Sequence, residues 1–443
     1  MDLANAAQGG RRLSRTAFLG LSHLGVNYGI AWSSFGQPVV GIDLDRAQVQ
    51  RLQAGDLPVH EPGLGELLER SRAWMTFSDD PASLAECDLV VVARDVPTDA
   101  SNASDLRPVL ELLDAAVPHL RDGVTLAVMS QLPTGCTRRL GARVAAARPE
   151  LEFSLFYWVE TLVFGDAVRR ALHPERVIVG CADPSRHLPG PLAAGLERFG
   201  CPILLMGYES AELTKMAINL YLIGSVTYAN TLSDLCEAVG ADWSEMVPAL
   251  KADARIGPAA YIRPGLGVAG GNLERDLVTL RNLARSHDLD TGYLDALSDH
   301  HARRLDWASR RVAERVFSRE PTPTIAVWGL TYKKNTRSTK NSPSLRIIAD
   351  LRDRARLRAW DPVIRGGEIS AGIEVLDDGR AVLDGADCLL IMADWDDFAR
   401  ADLASLRTAM RRPLVIDCVG VLDGRRAEMD GFGIEYVSMG RPA

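Results

Sequence analysis

Short apolar runs alternate with amphipathic stretches along the first half of the chain. The runs TAFL, VVGID, LVVVA and VTLAVMS end at residues 19, 43, 93 and 130, and RVIVG and CPILLM continue the series to residue 206. Continuous apolar runs separated by helical patterns are typical of parallel strands that helices cover on both faces. The pattern therefore predicts βαβ units in a doubly wound α/β domain.

The pattern changes after residue 206. Residues 210–240 show helical periodicity without proline, with Glu209 or Ser210 as a possible start and Gly240 as the end. A pattern that predicts further helices continues to about Val316, and the polar, proline-bearing segment SREPTPT follows at 318–324. The runs TIAVWGL, LRAWDP, CLLIMAD and PLVIDC then predict a second α/β domain.

Composition narrows the class of protein. A chain of 443 residues is too long for one core, and its net charge of -8 does not suggest nucleic acid or an anionic membrane as a partner. Residues 1–15 lack the apolar core of a signal peptide and are expected to be a tail, and the apolar runs are too short to span a membrane. The seven cysteines form no CxxC pair and the eight histidines show no metal spacing, so we expect a reducing cytoplasm and no metal site.

A glycine-bearing turn follows the first predicted strand. Its sequence is Gly20-Leu21-Ser22-His23-Leu24-Gly25, which departs from GxGxxG at the middle glycine. Ser22 is small enough for the backbone to approach a pyrophosphate, which the N-terminus of the following helix would attract. Asp43 ends the next strand, where a carboxylate accepts hydrogen bonds from ribose hydroxyls and repels a 2′-phosphate. This order predicts a Rossmann-like site that prefers NAD to NADP, although a turn without ligand is the simpler alternative.

Lysine is rare in this chain, since only five of its 50 basic residues are lysine. An ammonium and a guanidinium differ in size, hydration and ability to lose a proton. The retained lysines are therefore candidates for function, with codon bias as the alternative explanation.

Several ordered motifs resemble the UDP-glucose and GDP-mannose dehydrogenase family. In the first half they are LPVHEPGL (57–64), VPT (96–98), SQLPTGCT (130–137), VETLVFGDAV (159–168) and HPERVIVG (173–180). In the second half they are ELTKMAINLYL (212–222), RIGPAAYIRPGLGVAGG (255–271), GLTYKKNT (329–336) and TKNSPSL (339–345).

The resemblance implies an α/β fold with two Rossmann-like domains joined by a long central helix and a helical middle. We expect a tail at 1–15, an NAD-binding domain at 16–206, a helical dimerisation domain at 207–317 and a domain for the nucleotide sugar at 318–443. It also implies NAD as cofactor, a nucleotide-sugar substrate, oxidation of a UDP-sugar at C6, and a homodimer.

The resemblance also assigns site residues. Those expected at the cofactor are Gly20, Ser22, His23, Leu24, Gly25, Asp43, Pro97 and Thr98, although His23 is better explained as a surface side chain than as a base. Those expected to bind the substrate are Arg255, Tyr261, Gly267, Lys333 and Lys340, the two lysines as compact charges for a diphosphate. Those expected in catalysis are Lys215, Asn219, Asp276, Asn272, Glu160 and Gln131.

Lys215 and Asn219 are four residues apart and so share one helix face. Lys215 could stabilise a developing alkoxide or accept the hydroxyl proton. The simpler alternatives are a solvated helix residue for Lys215, surface charges for Lys333 and Lys340, a helix cap for Asp276 and a structural role for Glu160.

Two positions depart from the family pattern. Members of this family oxidise the sugar alcohol twice and hold the aldehyde on a cysteine within GFGGSCFPKD, but Asn272 stands at that position here. An amide nitrogen is not a usable nucleophile, so the thioester route is closed. Gln131 stands where the family usually has threonine near the hydrolytic water. We expect the buried Cys136, Cys181 and Cys236 to be structural, with Cys136 as the remaining candidate for a relocated nucleophile.

Three hypotheses follow from these departures. The first is a single hydride transfer that releases an aldehyde or ketone. The second is full oxidation to an acid through an aldehyde hydrate. The third is a catalytically inactive relative that binds NAD and a nucleotide sugar.

Overall fold

The structure, a computed structural model, describes residues 13–99, 103–269, 271–369 and 372–442. The chain divides into two compact units, the first ending at Lys215 and the second beginning at Met216. Of the tail expected at 1–15, residues 1–12 lie outside the described residues. The domain boundaries expected near residues 206 and 317 stay predictions.

Over its described residues, the first unit contains eight strands in one sheet. In chain order they are β1 (Thr16–Leu19), β2 (Val39–Ile42), β3 (Met75–Ser78), β4 (Leu89–Val92), β5 (Val124–Val128), β6 (Phe153–Trp158), β7 (Val177–Cys181) and β8 (Ile203–Gly207). Their spatial order is β3-β2-β1-β4-β5-β6-β7-β8. Neighbouring strands are parallel except β6 and β7, where Tyr157 pairs with Gly180 in antiparallel register. The sheet is therefore mixed, whereas the sequence pattern predicts only parallel strands.

In the described residues of this unit, the α-helices are α1 (His23–Ser33), α2 (Arg46–Gln53), α3 (Leu64–Ser71), α4 (Arg107–Ala116), α5 (Cys136–Ala147), α6 (Ala167–Leu172) and α7 (Gly190–Leu196). Helix α1 is buried from Leu24 to Ser33 because it packs into an aromatic cluster. Within that cluster the Trp32 ring lies 5.3 Å from the Trp158 ring between centroids. Burial on all sides explains why α1 lacks a polar face.

The strand order of the first sheet reverses between β1 and β4. In open α/β sheets, ligands bind in the crevice outside the carboxyl ends of the strands at this reversal. The glycine turn at 20–25 follows β1, and residues 94–98 follow β4. These two segments are therefore where a cofactor site is expected.

Helix α8 (Tyr208–Val239) crosses the boundary between the two units. It matches the helix predicted for 210–240 and ends before Gly240, which has a positive φ of 80°. The second unit adds α9 (Trp243–Ala252), α10 (Asn272–Ser286), α11 (Gly292–Arg304), α12 (Trp307–Val312), α13 (Pro343–Leu351), α14 (Asp396–Ala399), α15 (Leu403–Ala409) and α16 (Arg426–Gly431). No helix in the described ranges has both the length and the hydropathy of a membrane span.

The second unit also contains a sheet of six strands. They are β9 (Thr324–Trp328), β10 (Arg356–Trp360), β11 (Glu374–Val375), β12 (Cys388–Ile391), β13 (Leu414–Asp417) and β14 (Glu435–Ser438). All pairs are parallel in the order β11-β10-β9-β12-β13-β14. The predicted fold class is confirmed: the chain has two Rossmann-like α/β sheets and a helical central region.

Candidate active site

The glycine turn packs tightly between α1 and the strands. Gly20 has a φ of +101°, and a Cβ built on it would lie 2.9 Å from the backbone of Arg94. A Cβ on Gly25 would lie 1.7 Å from the carbonyl oxygen of Gly20. Only glycine fits these two positions, because the first needs left-handed backbone and the second needs close contact between helix and turn.

Asp43 lies at the end of β2, as the sequence predicts. Asp43 is 4% exposed, and its carboxylate accepts hydrogen bonds from the backbone N–H of Leu21 at 2.7 Å and of Asp45 at 3.1 Å. The guanidinium of Arg94 also donates to it at 3.0 Å. Arg94 was not among the predicted residues, and it gives Asp43 a positive partner.

Ser22 connects the glycine turn to the segment after β4. Its hydroxyl oxygen accepts a hydrogen bond from the backbone N–H of Asp95 at 2.7 Å. The Asp95 carboxylate in turn accepts one from the backbone N–H of Leu24 at 3.3 Å, in the first turn of α1. Ser22, at the middle position of the turn, is therefore small and also links the glycine turn to the segment after β4.

His23 is not the surface side chain that we expected, since its side chain is only 10% exposed. Its Nε2 lies 2.7 Å from Oε1 of the buried Glu61, and its ring lies 4.1 Å from the Phe164 ring between centroids. Glu61 also accepts hydrogen bonds from the backbone N–H groups of Gly165 and Ala167. His23 therefore helps to hold three distant segments together.

Four further predicted residues lie at the same edge of the sheet as the glycine turn. Pro97 and Thr98 follow β4, Gln131 follows β5, and Glu160 follows β6. These strands are parallel neighbours, so their carboxyl ends meet at one edge. The structure thus brings together residues that are up to about 140 positions apart in the chain.

Lys215 and Glu160 form a largely buried ion pair. Lys215 Nζ lies 2.6 Å from Glu160 Oε1, and the two side chains are 11% and 12% exposed. Lys215 also donates to the carbonyl of Glu160 at 3.2 Å. Burial and the charge of Glu160 raise the pKa of the nearby Tyr28 above its ordinary value. Lys215 is therefore not a solvated helix residue, and the two predicted residues are direct partners.

Cys136 does not have the character of a relocated nucleophile. It is the first residue of α5 and is 3% exposed. Burial raises the pKa of its thiol, so the reactive thiolate is disfavoured. Cys181 and Cys236 are buried as expected.

In the second unit, Asn219 and Asp276 form a buried pair. The side-chain amide of Asn219 donates to Asp276 Oδ2, and Arg275 Nε donates to Asp276 Oδ1 at 3.2 Å. Asp276 is 2% exposed and lies inside the first turns of α10, whose N-cap is Gly271. Asp276 is therefore not the helix cap that the simpler alternative supposed.

Asn272 is the exposed first residue of α10. The preceding Gly271 packs against the aliphatic part of Lys340, which lies 3.0 Å from a Cβ built on that glycine. Gly267 packs against the ring of His301, whose Nδ1 accepts the backbone N–H of Val268 at 3.1 Å. The structure thus places three predicted residues, Gly267, Asn272 and Lys340, around one glycine-rich segment.

Comparison with known proteins agrees with this arrangement. Three models of the UDP-glucose/GDP-mannose dehydrogenase family match the chain: the NAD binding domain at 14–192, the central domain at 209–301 and the UDP binding domain at 326–424. UDP-glucose 6-dehydrogenase of Pseudomonas aeruginosa is 30% identical over 97% of this chain and 98% of its own. The chain belongs to this dehydrogenase family.

Solved structures of similar proteins have the same fold. A UDP-glucose dehydrogenase from Pyrobaculum islandicum superposes with a TM-score of 0.82 at 25% identity, covering 98% of this chain and 99% of its own. A UDP-D-ManNAc dehydrogenase from Pyrococcus horikoshii gives a TM-score of 0.83 at 22% identity, covering 96% and 99%. The protein is therefore an NAD-dependent oxidoreductase of the nucleotide-sugar dehydrogenase type.

The residues at the first switch point fit the NAD that the family uses. The glycine turn allows a close backbone approach, α1 begins within it at His23, and Asp43 directly follows the second strand. Arg94 and Asp95 are additions to this arrangement that sequence reasoning missed.

The UDP binding domain of this dehydrogenase contributes to a cavity of about 430 Å³ within the second unit. Its lining includes aromatic and charged side chains: Trp243, Lys251, Tyr261, Arg263, Asp423 and Arg441. Tyr261 was predicted from the sequence, whereas the others were not. Of the remaining predicted residues, Lys333 lies 5.6 Å from the Tyr332 ring centroid and Arg255 pairs with Asp253 at an exposed position.

Proposed function

We propose that this dehydrogenase oxidises the C6 alcohol of a UDP-sugar by one hydride transfer to NAD and then releases the carbonyl product. The product is an aldehyde for C6 and a ketone if a ring carbon is oxidised. The observation that carries the proposal is Asn272 at the first residue of α10, the position at which the family pattern has its cysteine.

The position of residue 272 supports this reading. The N-terminus of a helix stabilises negative charge, so a cysteine at that position would have a favoured thiolate. The neutral amide of Asn272 gains no such nucleophilicity. An aldehyde formed at this site would therefore have no covalent partner at position 272 and would leave.

Lys215 and Glu160 support the first oxidation. NAD, when bound, would take up the hydride from the carbon that carries the hydroxyl, and the hydroxyl proton would pass to water. A lysine ammonium has three N–H donors, and two go to the carboxylate and the carbonyl of Glu160. We assign Lys215 to the substrate oxygen, where its charge stabilises the developing alkoxide. Glu160 then fixes the ammonium in place.

Asn219 and Asp276 complete this assignment within the second unit. The hydrogen bond from the Asn219 amide fixes Asp276, and Arg275 gives the buried carboxylate a positive partner. We assign this pair to orienting the hydroxyl and an associated water. Gln131, in place of the family threonine, is consistent with a lost hydrolytic step.

A nucleoside diphosphate group suits the cavity of the second unit. Trp243 and Tyr261 offer ring faces, and Lys251 and Arg263 offer positive charge. We further assign Lys333, Lys340, Arg255 and Gly267 to substrate binding by their motif positions. The relatives named as UDP-glucose 6-dehydrogenases make UDP-glucose the first substrate to test.

We also propose a homodimer in a reducing cytoplasm. Tyr221, Tyr228 and Leu235 of α8 are 69%, 45% and 53% exposed, and their spacing of seven residues puts them on one face. All seven cysteines are free thiols, which is usual in a reducing compartment.

The decisive experiment measures stoichiometry with a limiting UDP-sugar and excess NAD. One NADH per sugar, a product lighter by two hydrogen atoms, and no covalent adduct on the protein would support the proposal. Two NADH per sugar with an acid product would indicate the hydrate route instead. Binding without NADH from any of a panel of nucleotide sugars would indicate the inactive relative.

Asn272→Cys tests the same proposal from the opposite direction. If the surrounding groups are intact, a thiol at the start of α10 should produce some acid and a trapped thioester. Asn272→Ser is the matched control, because its weaker nucleophile at the same position should leave one NADH per sugar.

A further inference from the structure

The segment after β4 places a carboxylate where the cofactor needs hydrogen-bond donors. Asp95 Oδ2 accepts from the backbone N–H of Leu24, at the N-terminal turn of α1. In a Rossmann-like domain, the N–H groups at this helix terminus are the ones that bind the dinucleotide pyrophosphate. The Asp95 carboxylate therefore occupies an N–H group that is expected to bind the cofactor.

The position of Asp95 is fixed by its neighbours. The hydroxyl of Ser22 holds the backbone N–H of Asp95 at 2.7 Å and donates to the carbonyl of Ala93 at 3.4 Å. Ser22 replaces the middle glycine of the usual motif. The serine that replaces this glycine therefore also holds Asp95 in place, and the Asp95 side chain reaches the N-terminus of α1.

Arg94, the residue before Asp95, contacts the part of the site where the adenosine ribose is expected. Arg94 donates to Asp43 Oδ2, which is the carboxylate expected to accept the ribose hydroxyls. Asp95, in contrast, lies at the pyrophosphate end of the same crevice. The two residues therefore act on different parts of a dinucleotide, and ligands that lack a diphosphate can separate them.

We propose that Asp95 is an affinity-determining residue of the NAD site, which competes with the cofactor diphosphate for the N-terminus of α1. Two anions cannot share these donors, because a carboxylate and a diphosphate in contact repel each other. Cofactor binding must displace the Asp95 side chain, which is exposed and so has room to turn into solvent. The affinity of the site is lower than the same turn would have without this carboxylate.

The test uses calorimetric titration of the full chain with adenosine, ADP-ribose and NAD. Asp95→Ala removes the competitor, and Asp95→Asn removes its charge while keeping a group that can hydrogen-bond to Leu24. Both variants should bind ADP-ribose and NAD about tenfold more tightly or better. Adenosine, which has no diphosphate, should bind them as it binds the original chain.

Asp122→Asn is the matched control. Asp122 is an exposed carboxylate before β5, at the opposite edge of the same sheet, where it accepts the backbone N–H of Glu152. Asp122→Asn changes the net charge by the same amount as the Asp95 variants do. It should leave the affinities for adenosine, ADP-ribose and NAD unchanged. Equal or weaker ADP-ribose binding by both Asp95 variants, with unchanged thermal unfolding, would overturn the proposal and leave Asp95 as a helix cap. The outcome does not depend on how many hydrides the enzyme transfers.

Discussion

Lys215 carries a positive charge in a position where its side chain is only 11% exposed. A buried ammonium is costly to desolvate unless an opposite charge and hydrogen bonds accompany it. Glu160 supplies both, through its carboxylate and its carbonyl. Such a pair contributes little to stability by itself, but it keeps a donor in a fixed place, as the role that we propose for Lys215 at the substrate oxygen requires.

We predict that Lys215→Ala lowers turnover by about 10²- to 10⁴-fold, because it removes the group assigned to the substrate oxygen. NAD affinity should change much less, since Lys215 lies on α8 and not on the glycine turn. Steady-state kinetics and NAD titration separate the two effects. Lys334→Ala is the control, because Lys334 pairs with the exposed Asp396. A large loss of NAD affinity at unchanged turnover would contradict the assignment.

Single residues of the site were predictable only where a motif names them. Lys215, Asn219 and Asp43 stand in recognisable sequence patterns, and the structure places the first two on α8 and Asp43 directly after β2. The contacts of Arg94 and Asp95 join residues that are 51 and 71 positions apart, and Glu61 reaches Gly165 over 104 positions. No local pattern encodes such pairings, although the HEPG motif gave a signal for Glu61.

At the scale of elements, each of the two sheets has an aspartate directly after its second strand, but the two aspartates have different roles. Asp43 and Asp361 each follow the second strand of a sheet and accept N–H groups from the turn after the first strand. Asp361 is fully buried and accepts from Leu330 N, Thr331 N and the Thr331 hydroxyl. These hydrogen bonds hold the turn after β9 in place, so Asp361 acts as a structural residue.

Most elements could be predicted because their apolar runs are long and bounded by turns. The sequence did not predict β3, β6, β11 and β14. Strands β3, β11 and β14 lie at sheet edges. The residues of β3 and β11 are mostly partly exposed, and β14 (EYVS) has polar residues at both ends, so the apolar signal of each strand is weak. The antiparallel pairing of β6 with β7 is also invisible locally, because it depends on where the returning chain docks and not on the composition of either strand.

The last residue of β13, Asp417, should make the stability of the protein depend on pH. Burial raises the pKa of Asp417 to about 6, although the N–H groups of Val419 and Leu422 and the Tyr436 hydroxyl donate to it. An aspartate in the unfolded chain has a pKa of about 4. The folded state therefore binds the proton more tightly. The stability that this contributes is present at low pH and is lost as pH rises through about 6.

We predict that the stability difference between the protein and Asp417→Asn changes by about 2 kcal/mol between about pH 4.5 and pH 7.5. The original chain should gain on the variant as pH falls, because the amide cannot take up a proton. Urea unfolding across this range measures the difference. Asp402→Asn, at an exposed helix cap, should show no such gain, since the pKa of Asp402 is lowered by its hydrogen bonds. A pH-independent difference for Asp417→Asn would contradict the prediction.

At the scale of the whole molecule, the exposed face of α8 is the strongest candidate for an assembly surface. Tyr221, Tyr228 and Leu235 recur every seven residues, and Val239 extends the same face at 75% exposure. Scattered exposed apolar residues are ordinary, but a continuous stripe on one helix marks an interface. A second copy of this chain would cover the stripe with its own, as two-fold symmetric contacts do.

We predict that Tyr228→Glu combined with Leu235→Glu converts the protein to a monomer in sedimentation velocity. Each carboxylate would have to be buried unpaired in the interface, which costs several kcal/mol by itself. Because both side chains are exposed in the single chain, circular dichroism should show a fold unchanged by the substitutions. Phe432→Glu is the control, since Phe432 is an exposed aromatic residue at the end of α16, away from the stripe in sequence. A dimer that survives the double substitution would show that the copies meet through another surface, and a monomer already in the original chain would remove the proposed assembly.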